Sequence, residues 1–357
     1  MEKKNIRIKD IAQRAGVSIG TVDRVLHNRG KVSEEALQRV LSTLREIDYK
    51  PNLIARTLGT KRTYRIVVIL PDPALDEYWA QSNQGVAQAT TEWQQYDVQV
   101  EPYFFHLYDK NSFKNIAQKA FRSQPDGIVI APIFYQEALH FFDECDASNI
   151  PVVVYNTNIP EGKPLSFIGQ NLYESGKVAA ALINLGQTGA GNFAILHINE
   201  DRSNSIHLLE KERGFKEYFE TNHRHHHKII ALNLSGSDET RVNHEIENLL
   251  ADEQLKGILV TTSKGIAITA NLLQKHGKHN IRLIGYDLLK ENIAYLQAGI
   301  IDFLINQNSK HQAFLGIQHL ANYLFLKKIP PALNLLPLEI ITRENLDSYL
   351  GSSVHYQ

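Results

Sequence analysis

The residues of this chain best equipped for chemistry are polar and aromatic side chains that gather just beyond apolar runs. After RIVVILP comes DPALDEYW, after GIVIAP comes IFYQ, after VVVYN comes TN, and after FIG comes QN. Further along, similar positions are taken by His197 to Ser205, Thr261 to Lys264, Asp287, and Asn306 to Asn308. This set suits a polyol. Planar amides and carboxylates pair with vicinal hydroxyls, and an aromatic face covers the C–H surface of a ring. The competing use of each residue is to cap a loop or turn. Catalysis is not indicated, because the chain has no P-loop, GxSxG, HExxH or GxGxxG string. It also lacks an acid and base at glycosidase spacing, and Asp287 alone makes a poor catalytic group. No enzyme activity and no cofactor are expected.

These positions need strands to carry them. From Arg65 onward, short apolar runs alternate with helical stretches: RIVVILP, a helix through Glu92, VQVEPYFFH, a helix over Ser112 to Ser123, DGIVIAPI, a helix over Gln136 to Ser148, IPVVVYN and LSFIGQN. A second series begins near residue 174. It runs through helix Glu174 to Leu185, NFAILHI, helix Ser205 to Thr221, KIIALNL, helix Thr240 to Ala251, GILVTT, helix Gly265 to His276, IRLIGYD, and FLINQNS before helix Lys310 to Leu326. Apolar strands separated by helices imply parallel sheets covered on both faces. Two doubly wound halves place their strand ends, and any ligand, in the cleft between them.

The first 62 residues are of another kind. They carry 14 Lys and Arg against 7 Asp and Glu, a net +7, so the remainder must carry −8 to give the total of −1. Such asymmetry points to a polyanionic partner at this end. In Ile6 to Arg29 two short helices are expected. Ile8, Ile11, Ala12 and Ala15 share one face, Gly16 supplies the break, and Val17, Val22, Val25 and Leu26 form the apolar side of the second helix. Ser18 is placed to cap that helix. A helix, a turn with Gly and a second capped helix describe a helix-turn-helix, whose second helix enters the DNA major groove. Ile19, Gly20, Asp23 and Arg24 would face the groove. Ser33 then caps a third helix with Ala36, Leu37, Val40, Leu41 and Leu44 as its buried stripe.

The string AxxAGVSxxTVxRVLxxxxxVSxxxxxRVxxxxxxxxYxPNxxARxL, Ala12 through Leu58, resembles the DNA-binding domain of the LacI/GalR family of bacterial repressors. The rest of the chain resembles the periplasmic sugar-binding-protein fold that forms the effector domain of that family. The resemblance implies DNA contacts from Ser18, Ile19, Gly20, Thr21, Asp23, Arg24 and Asn28. It also implies a hinge segment, Asn52 to Leu58, that folds on DNA and wedges Leu58 into the minor groove with Ala55 as its close partner contact. Asp23 departs from the small Ser common in the family and suggests an unusual operator, since a carboxylate can read cytosine. In the cleft, Tyr78 and Trp79 fall where the family has an aromatic pair that sandwiches the sugar ring, and Asp287 and Gln307 where it has a hydroxyl-binding carboxylate and amide. Asn156 and likewise Gln170 stand at places often held by an Asp that binds the sugar, Ser263 where Asn is frequent, and Lys211 where an Arg frequently holds the ligand.

The expected architecture is therefore α/β. An all-α helix-turn-helix domain (1–50) and a hinge and linker (51–63) precede two doubly wound parallel-sheet lobes of the periplasmic binding protein-like type I fold. One lobe is placed at 64–168 and 300–330, the other at 169–299 and 331–350. The partners implied are double-stranded operator DNA and a small effector, a sugar or its derivative, in a homodimer or dimer of dimers. The function implied is ligand-responsive transcriptional repression, and the alternative is a transport-type sugar-binding protein. No apolar run is long enough to span a bilayer, and no apolar segment follows the first lysines, so a cytoplasmic location without membrane contact is expected. Cys145 is the only cysteine, which excludes an internal disulfide and a thiolate metal cage. NHRHHHK at 222–228 has four His but no Cys or spaced acidic partner, so no metal is expected there.

Overall fold

The computed structural model describes residues 8–26, 30, 32–47, 62–200, 202–221, 227–234 and 238–351. The chain divides into two compact units, Met1–Lys61 and Arg62–Gln357.

In the first unit, α1 (Ile8–Ala15), α2 (Ile19–Leu26) and α3 (Glu34–Glu46) enclose one small core. Ile11, Ala12, Ala15, Val22 and Val40 are buried, with Ile8, Val17, Val25, Leu26, Leu44 and Ile47 packed around them. Gly16 turns the chain at φ +61, a region that favours glycine, and Val17 N–H then reaches back to the Ala12 carbonyl at 3.0 Å. Ser18 Oγ accepts the Thr21 N–H at 3.1 Å and Ser33 Oγ the Ala36 N–H at 3.4 Å, each capping a helix start.

The second unit contains two six-stranded sheets. The first has the order β11-β5-β4-β3-β1-β2, from β1 (Tyr64–Pro71), β2 (Val98–Phe105), β3 (Gly127–Ile130), β4 (Val152–Tyr155), β5 (Ser166–Gly169) and β11 (Leu333–Leu335). The second has the order β12-β10-β9-β8-β6-β7, from β6 (Gly191–Ile198), β7 (His227–Leu234), β8 (Leu255–Val260), β9 (Arg282–Tyr286), β10 (Phe303–Asn306) and β12 (Glu339–Ile341). All pairings are parallel except β10 with β12. Central strands such as β3 and β4 are buried along their whole length, as strands covered on both faces must be. The edge strands β2 and β7 are only partly buried.

Helices pack closely where glycine permits it. A methyl group on Gly214 would sit 1.9 Å from the Tyr173 carbonyl oxygen, and one on Gly176 would sit 2.0 Å from that of Lys211. Helices Leu172–Asn184 and Ile206–Thr221 therefore meet backbone to backbone. Gly85 lets helix Glu77–Gln94 approach Lys310 of helix Ser309–Leu326 in the same way.

The chain crosses between the sheets after β5, after β10 and after β11. The lobe limits differ from those expected from sequence. Residues 303–306, assigned to the first lobe, pair with β9 in the second sheet, and residues 333–335, assigned to the second, pair with β5 in the first. The crossings fall at strand ends, and β11 and β12 are three residues long, too short to show a period. Gly214→Ala is expected to lower the unfolding free energy of the effector unit by about 1–3 kcal/mol through overpacking. Unchanged denaturant midpoints would contradict the close helix contact.

Candidate functional site

The two lobes build the floor of their cleft in the same way. At the end of β4, buried Tyr155 bonds Ser82 at 3.0 Å and is followed by Asn156 at φ +72. At the end of β9, buried Tyr286 bonds Ser175 at 2.9 Å and is followed by Asp287 at φ +67. Asn and Asp tolerate this left-handed backbone better than other side-chain-bearing residues. Each phenol anchors the first helix of its lobe.

On the first lobe, Asp76 caps helix Glu77–Gln94 by accepting the Tyr78 N–H at 2.9 Å and the Trp79 N–H at 3.4 Å. That cap fixes both rings. They meet edge to face, with centroids 4.9 Å apart at 87°. They are too close to each other to clasp a sugar between them, so they form one wall rather than the two plates expected. Asn156 Nδ2 donates to the Tyr78 hydroxyl and completes that wall.

On the second lobe, Ser263 and Lys264 follow β8, Gln307 follows β10, and Lys211 reaches in from helix Ile206–Thr221. Lys211 is 2% exposed, and its ammonium donates to the Thr261 carbonyl at 3.0 Å and lies 3.5 Å from the Tyr286 ring centroid. Burial pulls its pKa down to about 8, against the pull of Asp287 and Glu200. Beneath it, His197 links the Thr261 hydroxyl (2.8 Å) to Glu212 (2.7 Å), which also takes Arg202 at 2.8 Å and Lys216 at 2.7 Å. Burial opposes ionisation of Glu212, but these donors outweigh it and hold its pKa down to about 2.

Tyr78, Trp79, Asn156, Lys211, Ser263 and Gln307 all line one cavity of about 50 Å³. Two of the expected ligand residues do not. Asp287 lies behind the wall, where it accepts from Gln307 N–H at 2.9 Å, Gln307 Nε2 at 2.7 Å and Ser263 Oγ. Burial raises its pKa against those bonds, and it acts on the cavity by aiming Ser263 and Gln307. Gln170 lies at the first crossing between lobes. Its amide donates to the Asn306 carbonyl at 2.8 Å and the Pro337 carbonyl at 2.7 Å, one at each of the other crossings. It is a hinge residue in this geometry because its side chain turns from the cavity toward the crossover strands.

The cavity also takes in residues that the sequence reading passed over. Tyr108 follows β2, and the strand-end argument would have found it had it been applied there. His207 sits in the first turn of a helix, where no strand points to it, and its Nε2 lies 2.9 Å from Glu200. Burial works against the Glu200 carboxylate, yet His207 keeps its pKa below the usual range. Around the cavity the lobes touch through two separate sets of bonds. Gln81 donates to the Leu288 carbonyl (3.1 Å) and Lys290 N–H to Glu77 (3.0 Å). Elsewhere Asn204 accepts the Gln136 N–H (3.1 Å) and donates to Glu137 (2.8 Å).

In the N-terminal unit, Ile19 is 57% exposed, Ser18, Gly20 and Arg24 are exposed, and Thr21 and Asp23 are half-buried. Arg24 Nε bonds the Gly20 carbonyl at 3.1 Å, which lays its side chain along the outer face of α2. Asn28, Ala55, Leu58 and the hinge segment lie outside the described residues, as do His223, His225 and His226. His227 belongs to β7 rather than to a loop. It is buried beside Phe193 and Phe219, with Nδ1 3.1 Å from the Gly191 carbonyl. Among the described residues there is no group of His, Cys, Asp and Glu able to hold a metal ion, and no helix long and apolar enough to cross a membrane.

Residues 66–328 match the family described as periplasmic binding protein domain, and residues 7–52 match bacterial regulatory proteins, lacI family. The chain is 25% identical over 360 residues to the sucrose operon repressor of Streptococcus mutans, covering 95% of this chain and 99% of that protein. It is 29% identical to catabolite control protein A of Staphylococcus xylosus over 54% of this chain, spanning about half (55%) of that relative's length. A solved structure from Bacteroides fragilis, described as a LacI transcriptional regulator, superposes with a TM-score of 0.74 at 29% identity, over 81% of this chain and 100% of that one.

Gln170→Leu should remove both hydrogen bonds that tie the crossings together and cost the effector unit about 1–3 kcal/mol. An unfolding free energy equal to the wild type's would remove the hinge role from this side chain.

Proposed function

The chain belongs to the periplasmic binding protein domain family, with a lacI-family regulatory domain ahead of it, and from that premise we propose that it is a ligand-responsive transcriptional repressor. Its operator affinity is set by a sugar or sugar derivative held between the two lobes. The observation that carries this reading is the cavity that both lobes line with aromatic, amide and hydroxyl groups, in a chain whose basic first unit presents the outer face of α2.

In this account α2 enters the major groove, with Ile19, Gly20 and Arg24 at base edges and Ser18, Thr21, Asp23 and Asn28 beside them, while lysines and arginines attract the phosphates. Two copies read the halves of a pseudopalindromic operator, as a homodimer or a dimer of dimers in the cytoplasm. Leu58 and Ala55 meet their counterparts over the minor groove. In the cleft, Tyr78 and Trp79 cover the apolar face of the ligand, and Asn156, Ser263, Gln307 and Lys211 take its hydroxyls. A cavity of about 50 Å³ is far below the roughly 300–1,000 Å³ of common ligand sites. The lobes therefore part to admit the ligand, and the bonds through Glu77, Gln81 and Asn204 re-form as they close. A ligand that prefers one lobe arrangement shifts the balance between states, typically by about 1–3 kcal/mol. The site binds and does not catalyse.

Selection of genomic fragments with the purified protein, repeated across a sugar panel, tests the reading. DNA enrichment that changes with one sugar is expected, and no enrichment under any condition would refute it. With the selected operator, Arg24→Ala should lose about 1–3 kcal/mol of specific binding and keep its salt-dependent non-specific binding. Unchanged specific affinity would show that α2 is not the reading helix.

A further inference from the structure

We propose that the ligand of the interlobe cavity is an anionic sugar whose acid group docks on Lys211. The inference rests on the cleft being a polyol site and concerns which polyol it takes.

Lys211 is a buried cation with no carboxylate in contact, since Asp287 and Glu200 act on it only through space. The residue lines the cavity and is 2% exposed, and its ammonium is partnered by the Thr261 carbonyl and the face of Tyr286. Among the described residues no carboxylate comes within 4.0 Å of it. A buried ammonium is unfavourable unless an anion completes it, because burial strips its hydration and a carbonyl returns only part of the lost interaction.

The acids nearby are already committed. Glu200, on the cavity wall, is paired with His207 at 2.9 Å. Asp76, also on the wall, spends an oxygen on the amides of Tyr78 and Trp79. Both oxygens of Asp287 are taken by Ser263 and Gln307. The end of β4, equivalent to the Asp287 position in the other lobe, carries the neutral amide of Asn156. The ammonium therefore has no carboxylate in direct contact, and Lys211 lines the space the ligand enters. A carboxylate or phosphate on the sugar supplies that contact through charge-assisted hydrogen bonds, while Asn156, Ser263 and Gln307 take hydroxyls.

Calorimetric titration of the full-length protein distinguishes the possibilities. The probes are hexuronates and aldonates, hexose phosphates, and the neutral parent hexoses and alditols. An anionic sugar should bind at least about tenfold more tightly than its neutral parent. Lys211→Met should bring that ratio close to one, and Lys211→Arg, which keeps the charge, should retain it. The carboxylate and phosphate arms identify which acid is preferred. A neutral sugar that binds as tightly as its acid, or a ratio that survives Lys211→Met in a folded variant, would overturn the proposal and leave the cleft a sugar site. Binding of no sugar of either kind by protein that still binds DNA would overturn both this inference and the reading of the cleft on which it rests.

Discussion

The second unit is organised by three chain crossings between two sheets, gathered at one buried amide. Gln170 stands on the first crossing and donates to backbone carbonyls on the second and third, so the crossover strands cannot separate independently. One side-chain amide thus serves two backbone carbonyls that lie far apart in sequence. The lobes are thereby joined along one line. Among the described residues the lobes also meet through side-chain and loop bonds of Glu77, Gln81 and Asn204. Polar contacts of that sort are individually modest, which suits the opening and closing of the cleft proposed above.

The walls of the cleft are tied together within each lobe. The same Tyr–Ser bond fastens the first helix of each lobe, and glycine contacts bring helix backbones together where a methyl group would collide. Lys211 is carried on one of these closely packed helices. Below it the His197–Glu212 network fixes the Thr261 hydroxyl, while Lys211 takes the carbonyl of the same residue. Polar side chains lining the cavity are thus held in place before a ligand arrives, which limits the entropy lost on binding.

Much of the fold was legible in the sequence because its signals were strong. RIVVILP, GIVIAPI and IPVVVYN are continuous apolar runs, which strands covered on both faces require. The three N-terminal helices followed from apolar spacing, Gly16, Ser18 and Ser33. What escaped was local and weak: β11 and β12 are too short to show periodicity, so the lobe limits were misplaced there. In the cleft, sequence position identified residues that follow strands but not where their side chains turn. Tyr78, Asn156, Lys211, Ser263 and Gln307 turn to the cavity, whereas Gln170 turns to the hinge and Asp287 lies behind the wall. His207 carried no signal at all, because it reaches the cavity from a helix start through its pairing with Glu200.

The central claim is that the closed arrangement of the lobes sets operator affinity. It can be tested by holding them closed without a ligand. Glu137 and Asn204 bond across the cleft at 2.8 Å, and the native Cys145 is buried, with its thiol pushed up to about 12 by that burial. Cysteines introduced as Glu137→Cys and Asn204→Cys can therefore be joined selectively by a short bis-maleimide, and operator affinity measured before and after. The account predicts that the cross-linked protein binds operator with the affinity of the ligand-saturated wild type and no longer responds to ligand. Operator affinity that stays at the ligand-free value after cross-linking would contradict it.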